Sequence, residues 1–224
     1  DRALVQYLRF FYPNIHISSS SLDQRHGGVA ILTSPKAAQT YELETHSPPP
    51  NSPIEGRAIT VHATPRDGLN GIPYGVTCCY LSDSSAASVA ARITQVKALG
   101  SIPFLPCHII GGDFNFVTNS ADRRSDNVDS RKLIRAWESF RSDRGMTEVH
   151  QPLHTYYGAG ASGTVSSRID RFYLSPDLVH VLDYDVEAVI VPRVPYTLSS
   201  VPPSGTITTR GTSTPTSSRR RRSL

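Results

Sequence analysis

The stretch His108–Val117, HIIGGDFNFV, runs an apolar strand into two glycines and then presents two polar side chains around a phenylalanine. Residues two apart on an extended backbone point the same way, so Asp113 and Asn115 share one face and Phe114 turns behind them. A carboxylate beside an amide suits a phosphate ester. The carboxylate activates water or binds a hard cation, and the amide donates to a phosphoryl oxygen. Asp and Asn also cap turns after strands, and that plainer use fits the same residues.

Downstream, Ser167–Ser175 reads SRIDRFYLS, a strand pattern interrupted at its start by Asp170. A carboxylate entering a core needs a partner or a task, because burying it unpaired is costly. A surface salt bridge with Arg168 or Arg171 is the bland alternative. Upstream, Gly28–Thr33 (GVAILT), Gly56–Ala63 (GRAITVHA) and Tyr74–Leu81 (YGVTCCYL) are β-branched and aromatic runs bounded by turn formers, and each reads as a strand. His46–Pro53 (HSPPPNSP) is a turn or exposed loop. Asp1–Phe11 and the Ala-rich Ser84–Leu99 have helical spacing, and Ser130–Arg144 is an amphipathic helix. Pro103–Ile110, Ile169–Leu174 and Tyr184–Val191 return to strand. Strands outnumber helices and come in sequential pairs, which predicts a mixed α+β sandwich over a doubly wound sheet.

The composition breaks at Pro192, so residues 1–192 are expected to form one domain and 193–224 a disordered Ser/Thr/Pro/Arg-rich tail. Six of the 23 Lys and Arg residues lie beyond Val191, leaving 17 against all 19 Asp and Glu. The folded part is thus slightly acidic, and the basic pI of the chain is no argument for nucleic-acid binding by the domain. No apolar stretch is long enough to span a membrane and none resembles a leader, so an intracellular protein is expected. Arg219–Arg222 suits nuclear import or a phosphate contact, or is simply tail. Cys78, Cys79 and Cys107 match no zinc spacing and read as buried fillers. Gly158–Gly163 fits GxGxxG, but a strand follows it, so a hairpin loop is the expectation. His150 and His154 flank Pro152 and read as loop residues.

Taken in order, GGVAIL, GRAITV, Tyr80, GGDFN, Thr155 and SRID resemble the endonuclease/exonuclease/phosphatase superfamily typified by DNase I, over roughly Arg25–Val191. The spacing TYY…SSRIDRFYLS is most similar to the endonucleases of non-LTR retrotransposons. The resemblance implies a DNase I-like sandwich of two mixed sheets flanked by helices, incomplete at the N-terminus and last strand. It implies a Mg²⁺-dependent nuclease, Mn²⁺ substituting, with DNA as partner and an adjoining reverse-transcriptase domain in the intact polypeptide. Asp113 would activate water and offer a metal ligand, Asn115 would hold the phosphate, and Tyr80 would contact it. Asp170 would support the network with Arg168 bracing it, and Thr155 and Ser167 would lie by the substrate.

Two departures accompany the resemblance. The family's metal-binding glutamate, in a motif like QETH, precedes the first long helix, and the chain is expected to start after it. Glu44-Thr45-His46 imitates that motif but lies beyond GGVAIL, and is expected to be a coincidence. The family's terminal Ser-Asp-His is also missing, because no histidine follows His180 and the position reads Leu198-Ser199-Ser200. A frameshift or a degraded element copy would produce that break. Impaired catalysis, or a catalytically dead relic that binds nucleic acid weakly, is the implied consequence. A phosphatase acting on small phosphoesters or lipid head groups is the remaining reading within the fold.

Overall fold

A computed structural model describes residues 15–21, 28–84, 87–124, 129–160, 163–182, 186–189 and 206–209, with Gln6 and Phe10 besides. The helix expected over Asp1–Phe11 lies outside the described residues, except that Gln6 and Phe10 are helical.

β1 (His16–Ser21) and β2 (Gly28–Thr33) pair antiparallel, His16 opposite Thr33. A short helix, α1 (Pro35–Thr40), follows; its N-cap Ser34 Oγ accepts from Ala37 N–H at 3.2 Å. β3 (Tyr41–His46), β4 (Ala58–Pro65) and β5 (Tyr74–Tyr80) form an antiparallel meander. α2 (Val89–Ala98) then carries the chain over to β6 (His108–Asp113), which is parallel to β5, a pairing that requires such a crossover. After α3 (Arg131–Asp143) come β7 (Thr147–Glu148), the hairpin β8 (Tyr156–Gly160) and β9 (Gly163–Ser167), β10 (Asp170–Leu174) and α4 (Pro176–Leu182). The main sheet has the order β3-β4-β5-β6-β10-β7.

Three layers result, and they bear out the expected α+β sandwich. On one face α2 and α3 cover the sheet. Leu133, Trp137 and Phe140 recur at helical spacing on α3 and pack with Val96 and Leu99 against Ile110 and Tyr173. Trp137 is almost fully buried, its ring 4.7 Å from that of Phe114 and 4.9 Å from that of Tyr173. Burying one such side chain stabilises the fold by about 1.5–3 kcal/mol. On the other face β1 and β2 lie against β4 and β5, and Ser18 Oγ meets Thr45 Oγ1 of β3 at 2.9 Å. Among the described residues this pair is the second β layer. A smaller cluster of Cys107, Val149, Leu174 and Leu178 seats α4.

Several boundaries differ from expectation. α2 begins at Val89 rather than Ser84, because Ser88 supplies the cap, its Oγ accepting from Ala91 N–H at 3.2 Å. The glycine-rich 158–163 segment contributes to two paired strands rather than only to a loop between them. Cys79 joins the main core and Cys78 is half-buried on the opposite face, as alternation on a strand requires. Within the segment expected to be disordered, β12 (Thr206–Thr209) pairs antiparallel with β11 (Val186–Val189). The rest of that segment, Arg219–Arg222 included, lies outside the described residues. No helix among the described residues is long and apolar enough to cross a membrane.

Candidate active site

Three neighbouring strands end or begin together. Asp113, the last residue of β6, is in register with Tyr80, the last of β5, and with Asp170, the first of β10. The Tyr80, Asp113 and Asp170 side chains therefore project from one face at one end of the sheet. The close approach depends on Gly112, whose φ is 140°; a Cβ there would sit 1.9 Å from the Cys79 carbonyl oxygen. Beyond Asp113 the chain turns at once. Phe114 is fully buried and its N–H donates to the Ile169 carbonyl at 2.9 Å, locking GDFN to SRID.

Asn115 adopts φ 55°, the left-handed region that asparagine tolerates better than other side-chain-bearing residues. Its N–H donates to Asp113 Oδ1 at 2.8 Å, and its Nδ2 donates to the Leu81 carbonyl at 2.7 Å. The buried Arg92 completes the turn by donating to the Asn115 carbonyl at 2.7 Å. The turn-capping use of Asp and Asn is thus realised at this position. The extended backbone expected to put Asp113 and Asn115 on one face ends at Asp113, and Asn115 stands in the turn beyond it.

The Asp113 carboxyl is pushed up to about 6, chiefly by burial, then by the neighbouring charges of Asp170 and Asp83, against the opposing Asn115 N–H and Arg171. Burial raises Asp170 as well, while the Thr155 hydroxyl beside its carboxylate favours the charged form. Thr155 Oγ1 also accepts from the N–H groups of Ile169 and Asp170 at 3.1 and 3.0 Å, so it shapes the entry into β10.

The remaining residues singled out from the sequence do other work. Arg168 does not brace Asp170: its Nε and Nη2 donate to Asp122 Oδ1 at 2.9 and 2.7 Å, and its Nη1 to Glu148. Arg171 makes no surface salt bridge. It is fully buried, donates to the Phe116 carbonyl at 2.8 Å, and lies among the rings of Phe114, Phe116 and Tyr173. Ser167 is buried, its Oγ accepting from Arg123 Nε at 3.3 Å and its carbonyl from Thr155 N–H at 2.9 Å. Ser82, at the family's proline position, is held by Gln95 through two hydrogen bonds. His154 is tied to Ser166 Oγ at 2.8 Å within its loop.

Two nearby residues had no signal in the linear sequence. The Arg57 guanidinium lies over the Tyr80 ring at 5.4 Å, the one described cation stacked on that tyrosine. Asp83 lies close enough to raise Asp113. Only the pairing of β4 with β5 and the turn after Tyr80 bring them there. Glu44, by contrast, sits opposite His62, which faces Gly75 at the other end of β5 from Tyr80. It is not part of this cluster.

The fold is similar to those of solved structures. The structure is similar to the endonuclease domain of TRAS1, a telomere-specific non-LTR retrotransposon, at 11% identity over 79% of this chain and 73% of that one, with a TM-score of 0.54. It is also similar to an endonuclease/exonuclease/phosphatase family protein from Bacteroides thetaiotaomicron, at 15% identity over 84% and 69%, with a TM-score of 0.51. At these identities the likeness speaks for the DNase I-like fold alone. No curated protein sequence matches the chain. The sequence profile of the endonuclease/exonuclease/phosphatase family matches residues 1–214, nearly the whole length. With the sheet, its helical cover and the convergent strand ends in agreement, the chain belongs to the endonuclease/exonuclease/phosphatase family.

Proposed function

We propose that this chain is a DNA-nicking phosphodiesterase domain of the retrotransposon type, dependent on Mg²⁺ or Mn²⁺ and slow because Leu198-Ser199-Ser200 stands where the family carries Ser-Asp-His. The observation that carries the reading is the adjacency of Tyr80, Asp113 and Asp170 at one sheet end, with Asn115 pinned beside them. Two partly buried carboxylates on adjacent strands, one raised by the other, form a set of oxygen donors whose mutual repulsion a hard divalent cation relieves. Asp113 and Asp170 would hold that ion, which supplies positive charge against the phosphoryl oxygens.

The chain's own groups supply the rest. Asp113, poised near neutrality, accepts the proton of the attacking water. Asn115 Nδ2 is anchored on Leu81 through one N–H and keeps a second for a phosphoryl oxygen. Tyr80 offers its hydroxyl to the same phosphate, and Arg57, stacked over its ring, adds a cation on that side. Thr155 orients Asp170 rather than touching substrate. In the intact polypeptide such a domain adjoins a reverse transcriptase.

One observation favours a second reading, a non-catalytic nucleic-acid binder. Leu198-Ser199-Ser200 occupies the place of the family's Ser-Asp-His. Incubating the protein with supercoiled plasmid and Mg²⁺ separates the two. Relaxed circles should accumulate with the parent, stop with EDTA, and fall roughly 100-fold or more with Asp113→Ala. If parent and variant both leave the plasmid supercoiled while still retarding it on a gel, the binder reading stands and the proposed chemistry is wrong.

A further inference from the structure

The other end of the sheet carries a different set of titratable groups. Glu44 and His46 are two apart on the edge strand β3, so they share a face, and Glu44 stands directly opposite His62 on β4. One donor atom from each of the three lies within 4.8 Å of the others. His46 Nε2 is 3.6 Å from Glu44 Oε1, close to the ~3.4 Å that two ligands sharing a tetrahedral ion adopt. That nitrogen is buried yet has no hydrogen-bond partner, a costly condition for a ring atom with the other donors beside it. The His46 and His62 rings lie 4.3 Å apart between centroids.

Neighbouring groups define the set. His62 Nε2 lies 3.1 Å from the Pro103 carbonyl, which can only accept. In the neutral ring the proton therefore sits on Nε2 and the lone pair on Nδ1, the outer-shell arrangement that orients a metal-binding histidine. His108, its ring 6.3 Å from that of His62, is excluded as a ligand. Its Nδ1 accepts from Leu105 N–H at 3.2 Å, and its Nε2 is engaged with Thr77 Oγ1 at 2.8 Å. Glu44 is exposed, so the set opens to solvent on one side.

We infer that Glu44, His46 and His62 form a site for a borderline divalent transition metal, zinc above all, with a fourth position open to water. Two imidazoles and one carboxylate match zinc rather than magnesium, which prefers oxygen ligands and retains its waters. The site is separate from the carboxylate cluster: Gly75, which faces His62, is five residues along β5 from Tyr80, roughly 16 Å. Its mechanical effect is to clamp the edge strand to the sheet, since β3 contributes two ligands and β4 the third. The inference is independent of any nuclease activity.

Isothermal titration of the untagged protein with Zn²⁺ in excess Mg²⁺ tests it, alongside Asp113→Asn to remove the acidic end from the count. One Zn²⁺ per chain should bind, unaffected by Asp113→Asn and not displaced by Mg²⁺. Glu44→Gln should weaken it roughly tenfold and His46→Ala/His62→Ala by roughly 100-fold or more. Co²⁺ in its place should give the intense visible bands of a tetrahedral ion, lost in the double variant. Circular dichroism checks folding. Should the double variant fail to fold, the exposed Glu44→Gln and the single His46→Gln decide on affinity alone. Zinc affinity unchanged in the variants, or no stoichiometric zinc in the parent, overturns the assignment.

Discussion

At one end of the main sheet Tyr80, Asp113 and Asp170 stand side by side, while at the other Glu44, His46 and His62 gather next to the buried His108. Burial acts on both ends by the same physics and with opposite arithmetic. It disfavours whichever form is charged, so the Asp113 carboxyl rises to about 6 and the His108 imidazole falls to about 3. At the first end burial raises both Asp113 and Asp170 above the ordinary carboxylate range. At the second the His108 imidazole is held neutral, with both ring nitrogens hydrogen-bonded. One sheet thus carries two clusters of ionisable groups, one of carboxylates and one rich in imidazoles.

Each end also rests on one glycine that lets strands approach, and removing them is the most forceful way to break the comparison. Gly112→Ala combines φ 140° with a Cβ 1.9 Å from backbone, which cannot yield. A loss of about 4 kcal/mol or more, or failure to fold, is expected in thermal or urea melts. Gly75→Ala places a Cβ 2.2 Å from His108 Nδ1, a side-chain atom that can shift, so the cost should be smaller, about 1–3 kcal/mol.

The pH dependence of stability separates the ends next. His108 protonates near 6.5 when unfolded and near 3 when folded, so its contribution is intact above pH 6.5 and is lost as pH falls towards 3. In the His108→Gln variant the acid-side loss of stability should be flatter by about 2–4 kcal/mol between those limits. Asp113 has the opposite sign. Its pKa rises from 3.8 unfolded to about 6 folded, so the contribution is full below pH 3.8 and lost as pH rises through 6. Asp113→Asn should therefore stabilise the protein at pH 7.5, by about 1–3 kcal/mol, while removing activity. The smallest expected effect is at Asn115. Asn115→Ala should cost about 1 kcal/mol, because alanine tolerates φ 55° less well, whereas Asn115→Gly should keep the turn while losing the Leu81 hydrogen bond and the proposed phosphate contact.

The two ends also differ in how far they could be read from the chain. The alternation in GGDFN and SRID places Asp113 and Asp170 on strands correctly, because period two is a local property. That they are cross-strand neighbours follows only from the antiparallel register of β6 and β10, which no local pattern encodes. The resemblance to the family implies that Arg168 braces Asp170. Its partners, Asp122 and Glu148, come from a loop and a two-residue strand distant in sequence. Arg171 reads as an exposed charge, yet it is buried among rings, since the position faces the helices. At the imidazole end Glu44-Thr45-His46 looked like a chance echo of a family motif. Its third member, His62, sits on the next strand, so the grouping exists only once β3 and β4 pair.

The central claim, that the carboxylate end binds a hard cation and the imidazole end does not, is most directly tested by titrating Mn²⁺ and following its electron paramagnetic resonance signal. Parent and His46→Ala/His62→Ala should bind Mn²⁺ alike, with Mg²⁺ competing, and Asp113→Asn should lose that binding. Mn²⁺ binding that survives Asp113→Asn but disappears with the two histidines would contradict the account.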